Sequence, residues 1–317
     1  MEYAPIAIFA CKRPMHLSQL LNSLSLNAEA NFSDLKIFVG GPRDPKDWSQ
    51  VRSTIDIARA VAGFKSVVVE EKFDLITSCA LLEYGINKVL EENSTLIVLE
   101  DDLLVREDFI RYMNESLERY KDDERVIQIS GWNWGKTLEG MPNTTHLFPV
   151  NTSWGWATWH RAWNNPRNIL EDYSWLTEKS QRIHNFNLSE NYDYLGMIEA
   201  VAHENYDAWD VNWYLNCFRN DKLVLYPNSS LVINQGFDGS GLNFSYSFKW
   251  IQTFQEAAQD HFQFQSRTEK SPYWKKYLKN FRKWVKVSTG GEIQFVHMVG
   301  RKIKQHIRYA KRGYYTN

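Results

Sequence analysis

The 317-residue sequence has no long apolar run: no stretch approaches the roughly 20 apolar residues that a membrane-spanning helix needs. Cysteine is also scarce, since the chain has only Cys11, Cys79 and Cys217. An odd number at this wide spacing fits neither a disulfide framework nor a zinc site, and it favours a reducing compartment. The first apolar run, at 5–10, lacks a basic flank, so it predicts a strand rather than a signal peptide. We therefore expect a cytoplasmic protein.

Aromatic residues are abundant, at 15% of the chain with 13 tryptophans, and hydrophobic residues make up 43%. This composition allows a sizeable core and argues against wholesale disorder. Tryptophan faces stack on sugar rings as readily as they fill cores. For any single tryptophan, a place in the core is the default expectation.

Charge is distributed unevenly along the chain. Residues 267–312 carry fourteen Lys and Arg against two acidic residues, so the remainder has 23 basic and 36 acidic residues and a net charge of −13. Such a tail is typical of contact with phospholipid head groups or a phosphate-bearing acceptor. Trp274, Tyr277, Phe281 and Trp284 have helical spacing and would dip into a membrane interface. A helical tail packed on the domain is the alternative.

The first half of the chain alternates β-branched runs with segments of helical periodicity, such as 75–90 and 109–120. This alternation predicts an α/β fold with βαβ units and a largely parallel sheet. The predicted strands are Ile6–Ala10, Leu35–Val39, Ser66–Val69, Thr95–Glu100, Val126–Ser130, Leu223–Tyr226 and Leu231–Ile233. Ligands of such sheets bind beyond the carboxyl ends of the strands. That rule indicates a site near Cys11–Arg13, the turn at 40–42 and the residues after the fourth strand.

Three adjacent carboxylates, Glu100, Asp101 and Asp102, directly follow the apolar run 96–99. Carboxylates this close repel one another, so they cost stability unless a cation or hydroxyl donors compensate. A Mn²⁺ or Mg²⁺ ion held by carboxylate, diphosphate oxygens and water would do so, and it would neutralise a leaving nucleoside diphosphate. A solvated acidic turn is the alternative. The position after a buried strand favours the functional interpretation.

Sugar transfer by direct displacement also needs a base to accept the proton of the acceptor hydroxyl. Asp207 and Asp210 are the candidates, near the start of a predicted helix. Residue type and spacing do not distinguish them from ordinary helix-start residues, so the residues alone favour an N-cap role.

A series of short blocks, found in one order along the chain, carries a resemblance to a known family. The blocks are PIAIFACKRP at 5–14, LEDDL at 99–103, DF at 108–109, SGWN at 130–133, SWGWATWHRAW at 153–163, WD at 209–210, PN at 227–228 and NQGFDGSG at 234–241. Over about residues 4–250 the chain resembles the inverting GT-A glycosyltransferases typified by the Golgi β-1,2-N-acetylglucosaminyltransferases, together with their bacterial relatives.

The resemblance implies a GT-A fold, which is a Rossmann-like, mostly parallel sheet flanked by helices, and metal-dependent use of a nucleotide-sugar donor. It implies that Asp102 contacts Mn²⁺ or Mg²⁺, that Asp101 binds the ribose and that Glu100 binds hydroxyls of the donor sugar. Cys11 and Arg13 would line the nucleotide pocket, with Arg13 near the base or the diphosphate.

The resemblance also favours Asp210 over the other candidate base, because Asp210 follows the matching Trp209. A loop at 236–244, which includes Gly239 and Ser240, would order over the bound donor and exclude water.

On the acceptor side, the resemblance implies that Trp154, Gly155 and Trp156 form part of the acceptor wall, where glycine lets the backbone approach a sugar closely. The stretch between 163 and 210 is longer than in the Golgi enzymes. Its polar aromatic residues would reshape the acceptor site.

The turn after the second predicted strand departs from the family. Relatives often carry an aspartate there that reads the uracil ring, whereas this chain has Val39, Gly40 and Gly41. We place Gly40 in the donor pocket and favour a UDP-sugar, with the identity of the base left open.

We expect a catalytic domain over 1–265, with a nucleotide-sugar half at about 1–131 and an acceptor half at about 132–265. A basic, aromatic helical tail would occupy 266–317. The expected function is transfer of a hexose or N-acetylhexosamine to a hydroxyl of a glycan or lipid-linked glycan, in bacterial surface polysaccharide or lipid-linked oligosaccharide synthesis. We expect no nucleic-acid partner, and peripheral contact of the tail with the inner face of an anionic membrane.

Two other classes of function stay open. A nucleotidyltransferase also places carboxylates and a metal beside a diphosphate, but the segment 11–14 is a poor version of its glycine-rich basic loop. A carbohydrate-binding protein could keep the fold without turnover. Asn-X-Ser/Thr triplets at 93–95 and 143–145 leave a Golgi luminal fragment as an alternative location.

Overall fold

The computed structural model describes residues 2–75, 77–133, 139–163, 169–203, 208–238, 253–254, 256–266 and 268–288. Strands and helices alternate along the first 130 of these positions, and helices predominate between 160 and 219. No helix in the described ranges is both long and apolar enough to cross a membrane.

The strands fall into two sheets. They are β1 (Ile6–Ala10), β2 (Asp34–Gly40), β3 (Ser66–Lys72), β4 (Thr95–Glu100), β5 (Leu103–Val105), β6 (Val126–Ser130), β7 (His146–Phe148), β8 (Trp156–Trp159), β9 (Leu223–Tyr226) and β10 (Val232–Asn234). The large sheet has eight strands in the order β3-β2-β1-β4-β8-β6-β9-β7, and β5 pairs with β10 in a separate antiparallel ribbon.

Pairing in the large sheet is mostly parallel. Strands β3, β2, β1 and β4 run in one direction, as do β6 and β9, whereas β8 and β7 are antiparallel to their neighbours. The predicted α/β fold with a mostly parallel sheet is therefore confirmed. The antiparallel β8, which separates β4 from β6, was not predicted.

Helices cover both faces of the sheet. They are α1 (Pro14–Ser25), α2 (Trp48–Ala60), α3 (Ser78–Leu90), α4 (Phe109–Arg119), α5 (His160–Trp163), α6 (Ile169–Thr177), α7 (Ser180–Phe186), α8 (Tyr194–His203), α9 (Trp209–Arg219) and α10 (Trp274–Ser288). Short 3-10 turns occur at Ala28–Phe32 and Pro45–Asp47.

The domain has two hydrophobic cores, one on each face of the large sheet, and the alternating side chains of β1 contribute to both. Ile6 and Ile8 point to a core that includes α1, α2 and α4, whereas Ala7 and Phe9 point to a core that includes α3 and α6 to α10. Because successive residues of a strand face opposite sides, a strand covered on both faces must be apolar throughout, as β1 is.

Helix α10 packs on the domain through its aromatic face. Tyr277 and Phe281 are fully buried, and the Tyr277 ring lies 4.4 Å from that of Phe148 in β7. The expectation that these two aromatic residues dip into a membrane is therefore wrong, because they complete the second core. The segment before α10 also contacts β7, because Ser271 N donates a hydrogen bond to Leu147 O at 2.9 Å.

Candidate active site

The predicted acidic turn lies between β4 and β5, beside the end of β1. Strand β4 ends at Glu100, and the Asp101 amide donates to Phe9 O at 3.1 Å. Since β1 and β4 are parallel neighbours, their carboxyl ends meet, and the segment that follows β1 lies against the acidic turn. The structure thus brings the Cys11–Arg13 segment and Glu100–Asp102 together, as the strand-end rule predicts.

Arg13 is the basic partner of this turn. Its Nη1 donates to Asp102 Oδ2 at 2.8 Å, and its Nη2 forms a very short ion pair with Asp101 Oδ1. The side chains are largely enclosed, with exposed fractions of 18% for Arg13, 3% for Asp101 and 14% for Asp102. The guanidinium therefore bridges two carboxylates in a setting where water screens their charges only weakly.

Negative charge nevertheless remains in excess around Glu100. Burial, together with the charges of Asp102, Asp101 and Asp210, raises the pKa of Glu100 to about 8 against the opposing charge of Arg13. Burial also raises the pKa of Asp101, against the opposing charge of Arg13. A cation or a set of hydroxyl donors at this turn would relieve the repulsion.

Asp210, in the first turn of α9, is close enough to the acidic turn for its charge to raise the pKa of Glu100. It is partly buried in the first helical turn, its Oδ1 accepts a hydrogen bond from Val211 N at 2.9 Å, and its carbonyl accepts one from Asn151 at 3.0 Å. Burial raises the pKa of Asp210. The alternative base, Asp207, lies outside the described residues.

The segment after β10 covers the acidic turn. Gln235 N donates to Asp102 O at 2.8 Å, and a Cβ atom at Gly236 would lie 2.4 Å from Asp102 Oδ2. Only glycine lets the backbone come this close. Asp238 pairs with His16 of α1 at 3.2 Å. Gly239, Ser240 and the rest of the predicted donor loop lie outside the described residues.

The turn after β2 has no room for the aspartate that relatives often carry. An added Cβ at Gly41 would lie 2.4 Å from Phe73 O, and one at Gly40 would lie 3.0 Å from Leu75 O. The chain that follows β3 therefore requires glycine at 41 and leaves a side chain at 40 only a tight fit. Cys11 lies beside this turn and donates from its Sγ to Gly41 O at 3.4 Å, and burial raises the pKa of its thiol.

Two residues near the site were not identified from the sequence. His16 follows Arg13 by three residues, so the first turn of α1 brings both side chains to one end of the helix. The three-residue spacing from Arg13 is therefore a signal that could have identified His16 as a site residue. Asp47 ion-pairs with Lys12 at 2.6 Å, and its charge also acts on Cys11. No local pattern indicates Asp47, because 35 residues separate it from its partner Lys12.

On the predicted acceptor side, Trp154 keeps a partly exposed face. Its ring lies 4.2 Å from that of Trp132 and 5.7 Å from that of Phe237 in the segment after β10. Gly155 has a φ of +62°, and a Cβ there would lie 2.7 Å from Val232 Cγ2, so both backbone angle and packing require glycine.

Trp156 is part of the core rather than the surface, since its side chain is 1% exposed. Its ring stacks under that of Trp209, which is itself partly exposed. The Trp156 side chain therefore offers no face to an acceptor. It supports the residue that precedes Asp210.

A divalent cation fits the chemistry of this turn. Asp102 offers a carboxylate oxygen, the ligand type that Mg²⁺ and Mn²⁺ favour, amid an excess of negative charge. No group of three or more His, Cys, Asp or Glu side chains within the described ranges is arranged to hold a metal ion. The remaining ligands would therefore come from donor phosphates and water.

No protein-family profile matches the sequence. Among solved structures, mouse xyloside xylosyltransferase 1 in its apo form is 11% identical, over 70% of this chain and 83% of that chain, with a TM-score of 0.37. The galactosyltransferase LgtC with donor and acceptor sugar analogues is 10% identical, over 67% and 69%, with a TM-score of 0.32. The glycosyltransferase GlyE of Streptococcus pneumoniae TIGR4 is 16% identical, over 70% and 46%, with a TM-score of 0.31. These similarities are too distant to assign an activity, which rests on the residues of this chain.

Proposed function

We propose that the protein is a metal-dependent, inverting glycosyltransferase that moves a hexosyl or N-acetylhexosaminyl group from a nucleotide-sugar to a glycan hydroxyl. The observation that carries the proposal is the meeting of three chain segments at one edge of the sheet. Arg13 follows β1, Glu100 ends β4 with Asp101 and Asp102 directly after it, and Asp210 in the first turn of α9 is close enough for its charge to act on Glu100. A UDP-sugar is the favoured donor.

Asp210 would act as the base. It would accept the proton of the acceptor hydroxyl as that oxygen attacks the anomeric carbon. The attack comes from the face opposite the diphosphate, and the bond from the anomeric carbon to the diphosphate oxygen breaks with its electron pair on that oxygen, so the configuration at the anomeric carbon inverts. The raised pKa of Asp210 supports this role, because a more basic carboxylate is a better proton acceptor.

The acidic turn would bind the donor. Asp101 would bind the ribose and Glu100 the sugar hydroxyls. A Glu100 carboxyl with its pKa raised to about 8 can donate as well as accept a hydrogen bond at neutral pH. Mn²⁺ or Mg²⁺ held by Asp102 would supply charge neutralisation of the leaving diphosphate. Arg13 would contact the diphosphate or the base, in a pocket also lined by Cys11 and Gly40.

The decisive experiment has two stages. A thermal-shift screen of nucleoside diphosphates and their sugars, with and without Mn²⁺, should give a metal-dependent rise in melting temperature with one nucleotide. Transfer is then assayed with that donor, and the anomeric configuration of the product is read by NMR. Asp210→Asn should keep the nucleotide-induced shift and lose most transfer, because only the proton acceptor is removed.

Further measurements separate the alternative functions. Release of pyrophosphate from a nucleoside triphosphate and a sugar phosphate would indicate a nucleotidyltransferase. A shift with free glycans and with no nucleotide would indicate a carbohydrate-binding protein. Near-normal turnover by Asp210→Asn would refute the base assignment.

We also propose that α10 contacts the anionic lipid surface in which a lipid-linked acceptor resides. Its buried aromatic face leaves Lys275, Lys279, Arg282 and Lys283 exposed, and none of these pairs with an acidic side chain within the described ranges. Contact through this face would be electrostatic and therefore sensitive to salt.

Vesicle flotation tests the contact. The protein should float with vesicles that contain anionic lipid, and neither with zwitterionic vesicles nor at high salt. Replacement of the four exposed cations of α10 by glutamine should abolish flotation. Replacement of four exposed cations elsewhere, such as Lys46, Arg52, Lys65 and Lys121, is the matched control. Equal loss in both variants would contradict a specific surface.

A further inference from the structure

Arg13 pairs with Asp102, the carboxylate to which the proposed function assigns the metal ion. The Arg13 guanidinium donates to Asp102 Oδ2 at 2.8 Å, and the same oxygen lies against the backbone of Gly236. Asp102 is largely enclosed, so two cations near this one carboxylate would repel each other strongly. Among the described residues, Arg13 is the only cationic side chain in ion-pair contact with Asp101 or Asp102.

We propose that Arg13 and the metal ion compete for Asp102, and that the diphosphate of the donor resolves the competition by drawing the guanidinium onto its phosphate oxygens. This inference rests on the proposed function. A guanidinium matches phosphate as well as carboxylate, since its planar fork forms paired hydrogen bonds with either. Arg13 is the residue immediately before α1, which begins at Pro14, so a change of side-chain rotamer can redirect the guanidinium without moving α1.

The proposal makes metal and nucleotide binding cooperative. Without nucleotide, a metal ion must displace Arg13 from Asp102 and leave the guanidinium with Asp101 as its one carboxylate partner among the described residues, beside a second cation in a partly enclosed site. With nucleotide, Arg13 gains an anionic partner while Asp102 becomes free for the metal. By linkage, the metal strengthens nucleotide binding by the same factor. Arg13 thus acts as a positioning residue that orders the assembly of the donor complex.

The test is titration of Mn²⁺, followed by the electron paramagnetic resonance of the free ion, with and without UDP. Wild-type protein should bind Mn²⁺ about tenfold more tightly with UDP than without it, within the range of couplings between sites in proteins. Arg13→Gln should bind Mn²⁺ alone about tenfold more tightly than wild type does, since the competitor is gone. The increase in its Mn²⁺ affinity on addition of UDP should be smaller than the increase in wild type.

Lys12→Gln is the matched control. It removes the same charge at the adjacent position, but Lys12 pairs with Asp47 rather than with the acidic turn. A general charge effect would strengthen Mn²⁺ binding equally in Arg13→Gln and Lys12→Gln, and this outcome would overturn the competition. Unchanged or weaker Mn²⁺ binding in Arg13→Gln would overturn it as well.

A second variant guards against failure of Arg13→Gln to fold. Arg13→Lys keeps the charge, but a single ammonium cannot reproduce the fork that bridges Asp101 and Asp102. It should bind Mn²⁺ alone with an affinity between those of wild type and the glutamine variant. Mn²⁺ alone should also raise its melting temperature more than that of wild type. Wild-type behaviour of Arg13→Lys in both measurements contradicts the proposal.

The result also separates this inference from the proposed function. UDP-dependent Mn²⁺ binding that is the same in wild type and Arg13→Gln would leave the function intact and refute the competition. Absence of Mn²⁺ binding in every variant, with and without UDP, would refute both.

Discussion

Trp209 stacks on Trp156, with ring centroids 5.1 Å apart and planes inclined by 21°. Trp156 belongs to β8, the strand that separates β4 from β6, and Trp209 is the residue immediately before Asp210. The stack therefore links the centre of the sheet to the start of α9, where the proposed base lies. Aromatic pairs of this geometry add stability beyond the area that they bury.

Trp156→Ala should both destabilise the protein and misplace the base. Removal of this buried ring should lower the free energy of unfolding by about 3–5 kcal/mol, as large-to-small changes in cores do. Unfolding in urea measures the loss. Trp154→Ala, two residues earlier and partly exposed, is the control, and it should lose less stability and mainly raise KM for the acceptor. Equal stability losses in the two variants would contradict the different burial of the two rings.

The rate of transfer should fall as the pH is lowered, and it should do so at a higher pH than an ordinary aspartate would cause. Burial raises the pKa of Asp210, so this carboxylate becomes protonated at a higher pH, and only its ionised form can accept a proton. The pH profile of kcat at saturating donor and acceptor measures the effect. If the low-pH limb is retained unchanged in the residual activity of Asp210→Asn, another group is responsible for it.

Gly236→Ala should weaken metal-dependent nucleotide binding. The added Cβ would lie 2.4 Å from Asp102 Oδ2, so either the carboxylate or the segment after β10 must move. The nucleotide-induced shift in melting temperature with Mn²⁺ should shrink towards that of Asp102→Ala. Gly63→Ala, where an added Cβ meets nothing within 4 Å but a φ of +90° strains any side chain, controls for a loss of stability away from the site. Wild-type nucleotide binding by Gly236→Ala would refute the close contact.

Stability should decrease below about pH 6.5 because of His146. Burial lowers the pKa of this histidine, whose ring nitrogens contact Ser271 Oγ at 3.2 Å and Pro142 O at 3.3 Å. A depressed folded pKa means that the unfolded chain binds the extra proton first, so the free energy of unfolding falls as the pH drops below the ordinary value of 6.5.

The slope contributed by His146 can reach about 1.4 kcal/mol per pH unit between the folded and unfolded pKa values. Urea unfolding of wild type and His146→Gln between pH 5 and 8 isolates this contribution. The variant should lose less stability than wild type over the acidic part of the range. Parallel curves would mean that the pKa of His146 does not differ between the folded and unfolded protein.

The sequence predicted the elements whose pattern is local. The apolar runs that form β1, β4 and β6 have the predicted bounds, whereas β2 and β3 extend beyond theirs. Those two strands pair in parallel along their full length, so their polar ends are also held by backbone hydrogen bonds. Helix α3 begins three residues later than predicted, because the Thr77 side chain accepts a hydrogen bond from Ala80 N and caps it.

In the tryptophan-rich run that contains β8, the family resemblance implies that Trp154, Gly155 and Trp156 form part of the acceptor wall. As a strand, the run depends on pairing with β4 and β6, which are distant in sequence. A run of this length does not specify its pairing partners by itself. The interpretation therefore stays a proposal for Trp154 and does not hold for the buried ring of Trp156.

The sequence by itself determined that three carboxylates follow an apolar strand run and that Cys11–Arg13 follow a second such run. It also determined the α/β fold, because the burial of strands and their alternation with helices can be recognised from local apolar patterns. Only the tertiary structure decided that Arg13 hydrogen-bonds to Asp102, that Asp210 lies near enough for its charge to act on Glu100, and that the aromatic face of α10 is buried against the domain. Those relationships join residues far apart in the chain. They depend on how strands order within the sheet and on which surfaces the second core can bury.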